Sequence, residues 1–391
     1  MAAEAEKRRV MPIHSKPQFK QSEDNIIAIG KMDYTILLVV LILVLFGLVM
    51  IFSASYYTAS INKDYHYDMF FFVRKQALFA VAGFAFMIIV SNINYNMLRR
   101  LALPIYGTAV LLLIYVFFFG VAVNGARRWI TLPIVGSFQP SELMKVGTIL
   151  VLSLLISTRK DILKKWPGFI FCCGVVGFGA FFVFIENFST SLIICVIGIG
   201  IIFVASSYIM RFVVAGASAV SLLVVYLAFF SKGFRGDRFD AWLHPFDDPS
   251  NTAYQAVQSL YAIASGGMFG LGLGQSRQKS FIPEAHNDII FSIVCEELGF
   301  VGACIVIILF GVLIWRGIRV ALRAPDTFGS LVAAGVVIMI AAQTIINIAV
   351  VTNSIPNTGV PLPFISYGGT ALMIMLGLVG VLLNISRYSK Y

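Results

Sequence analysis

Charge is what this sequence is short of: Asp, Glu, Lys and Arg make up 12% of its 391 residues, against about a quarter in ordinary soluble domains. Hydrophobic residues make up 59%, and apolar runs of about 20 residues, enough to cross a hydrocarbon core of about 30 Å, recur along the whole length. That excludes a soluble globular domain. Strands of alternating polarity are missing as well, which excludes a membrane β-barrel. The five cysteines (Cys172, Cys173, Cys195, Cys295 and Cys304) all fall inside apolar runs and none in a loop, so neither disulfides nor a cysteine metal cluster is expected. With 4 histidines and no HExxH pattern, a dedicated zinc site is not expected either. A secretory signal is also missing: the first apolar run begins near Tyr34 behind a polar basic tail and is too long for a signal core.

What is present is an all-α polytopic membrane protein. Ten spans are expected, over 34–56, 76–91, 101–123, 142–158, 167–185, 189–206, 209–231, 289–315, 329–352 and 369–386, after a cytoplasmic, disordered tail over 1–32. Of the 29 Lys and Arg, placing the N-terminus in the cytoplasm puts eighteen in inside segments and ten in outside segments, with Lys145 within a span. This bias predicts that both termini are cytoplasmic. It also accounts for the formal charge of +10 without nucleic-acid binding. The longest polar stretch is then a large extracytoplasmic loop, 232–288, between the seventh and eighth spans.

Seven of the ten outside cations cluster in two loops: Arg127 and Arg128 in one, Lys232, Arg235, Arg238, Arg277 and Lys279 in the other. A solvated face touching anionic lipid headgroups accounts for them; so does an anionic ligand such as a pyrophosphate. Within the large loop, Ser250-Asn251-Thr252 opens and Gly266-Gly267 closes a short amphipathic helix over 253–264, expected at the membrane surface. The glycines that follow lack the strand and helix of a nucleotide-binding motif and predict a flexible turn.

Asp288 stands where the eighth span begins. It suits a helix N-cap, and it equally suits a carboxylate poised between a helix dipole that favours its charge and partial burial that opposes it. His286 lies two residues before it, a spacing compatible with a shared cation; a divalent ion could bridge Asp288 to a substrate phosphate. Glu296 and Glu297, on a straight helix, would lie roughly 12 Å deeper, where acids need a protein interior or a wet cavity. Lys145 could pair with either of them, or with Glu142 three residues away on its own helix. The last outside stretch, 352–370, carries three prolines and cannot be continuous helix. Irregular backbone so near the bilayer is tolerated only packed in protein or lining a cavity, so it is expected to wall the same outward site.

These residues resemble the SEDS family, the FtsW/RodA/SpoVE group of bacterial cell-wall proteins. The likeness runs through Lys31-Met32-Asp33-Tyr34, Asn124-Gly125-Ala126-Arg127-Arg128-Trp129-Ile130, Gln139-Pro140-Ser141-Glu142 with Lys145, Pro283-Glu284-Ala285-His286, Glu296-Glu297-Leu298-Gly299, and Pro361-Leu362-Pro363-Phe364-Ile365-Ser366-Tyr367-Gly368-Gly369. Its forms are closest to the division and sporulation branch. The sequence departs from the family at Asn287, where Thr is usual, and at Asn357-Thr358-Gly359, where Val-Thr-Gly is frequent.

The resemblance implies a single ten-helix domain over 33–391. It implies a peptidoglycan glycosyltransferase that polymerises lipid II at the outer face of the cytoplasmic membrane alongside a class B penicillin-binding transpeptidase and other division or sporulation membrane proteins. Asp288 would be the general base. Arg128, Arg127, Lys145, Glu142, Lys232, Arg235, Arg238, Arg277, Lys279, Glu284 and His286 would line the substrate site, with Mg²⁺ or Mn²⁺ held at Asp288. Two other classes fit the same membrane character. A flippase for a lipid-linked precursor would carry charges across the whole bilayer, whereas the cytoplasmic halves of most spans are apolar. A scaffold recruiting a transpeptidase would have no need of Asp288.

Overall fold

The computed structural model describes residues 30–123, 126–132, 136–159, 161–214, 216, 242–247 and 253–389. Among them, nine helices are long and apolar enough to cross a membrane. These are α1 (Tyr34–Ile61), α2 (Phe71–Asn92), α3 (Met97–Phe119), α4 (Pro140–Thr158), α5 (Trp166–Glu186), α6 (Phe188–Ala205), α8 (Ile290–Arg323), α9 (Thr327–Val351) and α10 (Gly369–Tyr388). The chain is thus an all-α polytopic membrane protein. Helix resumes over 209–214, but most of the expected seventh span and the 1–29 part of the tail lie outside the described residues. The amphipathic helix of the large loop is α7 (Tyr254–Gly266), with Ala253 at its N-cap.

Packing pairs α10 with α2, α3 with α4, α8 with α9 and α1, and α9 with α6. The helix faces turned outward keep Leu, Ile, Val and Phe exposed, as lipid-facing surfaces must. Both ends of the membrane region meet on one side: Gly30 N–H donates to Arg387 O at 2.8 Å and Asp33 N–H to Ser386 Oγ at 3.1 Å. Asp33 caps α1 by accepting from Thr35 N and Ile36 N. On the same side, Asp326 caps α9 by accepting from Gly329 N and pairs with Arg99.

Two expected spans are redrawn. The third ends at Phe119, not 123. Val121–Val123 (β1) instead pairs antiparallel with Ala126–Leu132 (β2), which pairs with Gly136–Phe138 (β3). The run Val121-Ala122-Val123 before Asn124-Gly125 carries β-branched residues and a hairpin dipeptide, so its apolar content belongs to a strand. The eighth span is broken at Gly299, whose φ of 68° lies outside the helical range.

That break changes the depth of what precedes it. Asp288 O accepts from Asn347 at 2.6 Å, and Asn347 stands roughly 30 Å along α9 from Thr327. Glu297 accepts from Ser53 at 2.5 and 2.7 Å, and Ser53 stands roughly 29 Å along α1 from Tyr34. Both helix starts lie on the side of the chain ends, so Asp288 and Glu297 are at similar heights. The segment before Gly299 runs along the far rim of the bundle instead of descending, and the two glutamates are not the 12 Å deeper that a straight helix would put them. The stretch after Gly299 begins afresh, with Phe300 N–H donating to Gly267 O at 2.9 Å and Val301 N–H to Met268 O at 3.1 Å.

Candidate active site

Asp288 is half-buried in an irregular turn that ends at Ile289. It is not the N-cap of α8: that position is Ile289, with no side-chain capping bond. Its backbone is fixed by Asn347, a buried amide inside the apolar α9, whose Nδ2 donates to Asp288 O and also to Val360 O at 2.8 Å. One side chain therefore ties the turn carrying the carboxylate to the loop between α9 and α10. The carboxylate looks onto that loop, since a Cβ built on Gly359 would lie 3.4 Å from Asp288 Oδ2. Asn347 Oδ1 and Thr358 Oγ1 are buried without a hydrogen-bond partner.

The loop between α9 and α10 dips into the bundle. A Cβ on Gly47 would lie 2.6 Å from Phe364 O, and Gly47 is only roughly 20 Å along α1 from its start. No residue but glycine lets the loop come this close. Residues Val360, Leu362, Phe364, Ile365 and Ser366 are buried, and the dip closes on itself through Leu362 N–H to Ser366 Oγ at 2.8 Å and Ser366 N–H to Leu362 O at 3.0 Å. Gln76 of α2 holds its far limb, donating to Ser366 O and accepting from Gly368 N. Trp242 and Asn353 exchange hydrogen bonds, and Asn357 donates to Gln255 of α7 at 2.9 Å. The dipping part, 360–366, is packed in protein, as bilayer depth demands.

Beneath it, Glu142 and Lys145 in the first turns of α4 are buried and pair with each other at 2.8 Å. Of the two pairings open to Lys145, the structure has this one, not a bridge to Glu296 or Glu297. Glu142 also lines a cavity of about 30 Å³ with Ser366, Tyr367 and Gly368, room for about one water.

Glu296 and Glu297 are fully buried and serve the large loop. Glu296 accepts from Ser276 Oγ at 2.5 Å and Arg277 N at 2.9 Å. Glu297 accepts from Ser53 and Ser276 N, and Lys279 Nζ stands 3.5 Å away. Lys279 is itself buried, donates to Gly274 O at 2.6 Å and lies over the Tyr56 ring. Its charge is committed inside the protein. The following glycines are likewise no loose turn: Leu271 N–H and Gly272 N–H bond to the carbonyls of Glu296 and Glu297. Gly299 presses against Met268, where a Cβ would fall 2.6 Å from the Met268 carbonyl oxygen.

The remaining expected residues separate. His286 is buried, its ring 4.2 Å from that of Phe72 and 5.4 Å from that of Tyr367. Desolvation holds its pKa down at about 4, so at neutral pH it is an uncharged member of an aromatic cluster. Glu284 is exposed, in the left-handed region at φ 51°, and accepts from Asn287 at 2.7 Å. Arg277 is exposed and Arg128 half-buried on β2; Arg127 pairs through its backbone with Ala122. Lys232, Arg235 and Arg238 lie outside the described residues. Among the described residues no three His, Cys, Asp or Glu side chains converge as metal ligands. Asp288 with the ringed-in His286 and the outlying Glu284 does not fit a protein-only Mg²⁺ or Mn²⁺ site.

Asn347 was not among the residues the sequence singled out. A lone Asn within the apolar run of α9 was the available signal, since an intramembrane polar group that is retained needs a partner.

A multi-helix membrane protein with an acid at the junction of two irregular segments, one of them re-entrant, defines the class. The model of the cell cycle protein family FtsW/RodA/SpoVE matches residues 33–391, and the chain belongs to that family. Stage V sporulation protein E of Bacillus subtilis (strain 168) is 44% identical over 368 residues, covering 92% of this chain and 98% of that protein. A probable peptidoglycan glycosyltransferase FtsW of Geobacter sp. (strain M18) is 39% identical over 359 residues, covering 90% and 96%. A solved chain from work on structural coordination of polymerization and crosslinking by a peptidoglycan synthase complex superposes with a TM-score of 0.77. It is 26% identical, covering 91% of this chain and 98% of that one.

Proposed function

We propose that this chain is a peptidoglycan glycosyltransferase that polymerises lipid II at the outer face of the cytoplasmic membrane, in division or sporulation septum synthesis. The domain that does so spans 33–391, with 232–288 as its extracytoplasmic loop. The reading draws on relatives bearing that activity in their names and rests on one observation: Asp288 is half-buried at the meeting of two irregular segments, its backbone fixed by Asn347.

Joining disaccharides requires attack of a sugar hydroxyl on an anomeric carbon whose leaving group is a polyprenyl pyrophosphate. Asp288 takes the hydroxyl proton as the new C–O bond forms and the bond to the pyrophosphate breaks. Attack opposite the leaving group inverts the anomeric centre, giving a β-link from an α-linked donor. Arg128, Arg127 and Arg277, with Lys232, Arg235 and Arg238, supply the positive charge that a departing pyrophosphate needs. The Glu142–Lys145 pair keeps the floor of the site polar. A Mg²⁺ or Mn²⁺ ion would require substrate phosphate oxygens alongside Asp288, and would supply further charge for the leaving group. The partner is a class B penicillin-binding transpeptidase with other division or sporulation proteins.

The test is lipid II polymerisation by purified protein in liposomes, alone and with a transpeptidase. Asp288→Asn keeps the size of the side chain and removes the base, and is expected to lower the rate at least about 100-fold. Polymerisation at the wild-type rate by this variant would sink the assignment.

A further inference from the structure

At the opposite end of the molecule from Asp288, a cavity of about 410 Å³ is lined by Lys31, Met32, Asp33, Tyr34, Thr35 and Arg316. Among the described residues the one acid on its wall is fully engaged: Asp33 accepts from Thr35 N and Ile36 N with one oxygen, and from Arg316 Nε at 3.0 Å and Nη2 at 2.9 Å with the other. The surrounding cations are not so engaged. Lys31 forms no ion pair among the described residues. Arg387 reaches in towards Met32, and its other side-chain partner among the described residues is the neutral Asn92. Arg319, one turn along from Arg316, is exposed and stacks over the Trp315 ring at 4.0 Å. Among the described residues, Lys31 and Arg316 line the cavity with the single carboxylate of Asp33, and Arg387 beside Met32 and Arg319 one turn beyond Arg316 bring the local charge to about +3.

Two apolar stripes lead away from this basic mouth. Tyr34, Leu38 and Leu45 are exposed along one face of α1, at the three- and four-residue steps of a helix. Ile305, Ile308 and Trp315 are exposed on the adjacent α8, on the membrane side of Arg316. Cations at a helix end with bare hydrocarbon below them suit a molecule charged at one end and aliphatic at the other.

We infer that this cavity binds an anionic phospholipid of the inner leaflet, its phosphate held by Lys31 and Arg319 beside the Asp33–Arg316 pair and its acyl chains lying along α1 and α8. A free phosphate would satisfy the cations but gain nothing from the apolar stripes.

The experiment reconstitutes the full chain in nanodiscs of phosphatidylcholine with or without phosphatidylglycerol, and counts retained lipids by native mass spectrometry. Lys31→Gln/Arg319→Gln removes two cations while leaving the Asp33–Arg316 pair intact. Affinity for phosphatidylglycerol is expected to fall about 30-fold, and about fivefold for Lys31→Gln alone, with phosphatidylcholine retention unchanged. Matching thermal unfolding in pure phosphatidylcholine establishes that the variants are folded; if the double variant is not, the single variant decides. Equal phosphatidylglycerol retention by the wild type and the folded variant would overturn the site. Displacement of the lipid by excess inorganic phosphate would overturn the lipid as its occupant.

Discussion

Asn347 donates both amide hydrogens to carbonyls from separate segments, those of Asp288 and Val360. Truncating it leaves two carbonyls without their donor, each costing about 1–3 kcal/mol where it is shut off from water. The turn carrying Asp288 and the re-entrant loop can then drift apart. Asn347→Ala is expected to lower kcat for lipid II polymerisation at least about tenfold while changing KM little; a KM effect alone would make Asn347 a binding group instead. His286 allows a prediction in pH. Its folded pKa of about 4 lies below the ordinary value of 6.5, so between those values the unfolded chain binds a proton that the folded chain refuses. The unfolded state binds more protons there, and stability rises with pH across that window. The native protein is therefore expected to lose stability as pH falls from about 6.5 to about 4. His286→Phe, keeping a ring against Phe72 and Tyr367, should flatten that part of the decline, read as melting temperature against pH. A wild-type decline with the same shape as the variant's would mean that His286 is not held neutral.

At the level of elements, Glu296 and Glu297 knit the loop 271–279 to the first part of α8 through backbone and side chains together. Lys279 is the cation that stands beside Glu297. Replacing it with Met leaves a buried carboxylate without its counter-charge, expected to cost about 3–5 kcal/mol. Lys279→Met/Glu297→Gln should recover part of this, and thermal unfolding in nanodiscs measures both. The sequence carried much of this architecture, because apolar runs long enough to span a bilayer are a strong signal and Lys and Arg counts are additive. Asp288 stood out as an acid at an apolar boundary, and the prolines from Pro356 to Pro363 announced irregular backbone. What could not be read was direction. The apolar run from Ile289 hid the break at Gly299, because hydropathy does not register one residue with positive φ. Lys279 looked like a loop cation available to a ligand; only the fold brings it within reach of Glu297, eighteen positions away. The strand at Val121–Val123 was absorbed into the third span for the same reason: apolar content does not distinguish a short strand from the last turn of a helix.

For the molecule as a whole, the charge asymmetry and the helix ends make one statement about orientation. Asp33, Asn92, Asp326 and Arg387 gather on a single face through Asp33 N–H to Ser386, Arg387 to Asn92, and the Arg99–Asp326 pair. That face also holds Arg316, Arg319 and Arg323. The opposite face holds Asn62, the C-cap of α1, and the turn that carries Asp288. If the positive face is cytoplasmic, the carboxylate meets substrate from outside the cell. Cysteine substitution reads this directly. Four of the five native cysteines lie within membrane-spanning stretches and Cys295 is buried in the rim segment before Gly299, where a charged, membrane-impermeant maleimide does not reach. Asn62→Cys is expected to be labelled in intact cells, and Ser389→Cys only after the membrane is permeabilised. The reverse pattern would put Asp288 on the cytoplasmic side, where no outward polymerase can work, and would overturn the orientation and the proposed activity together.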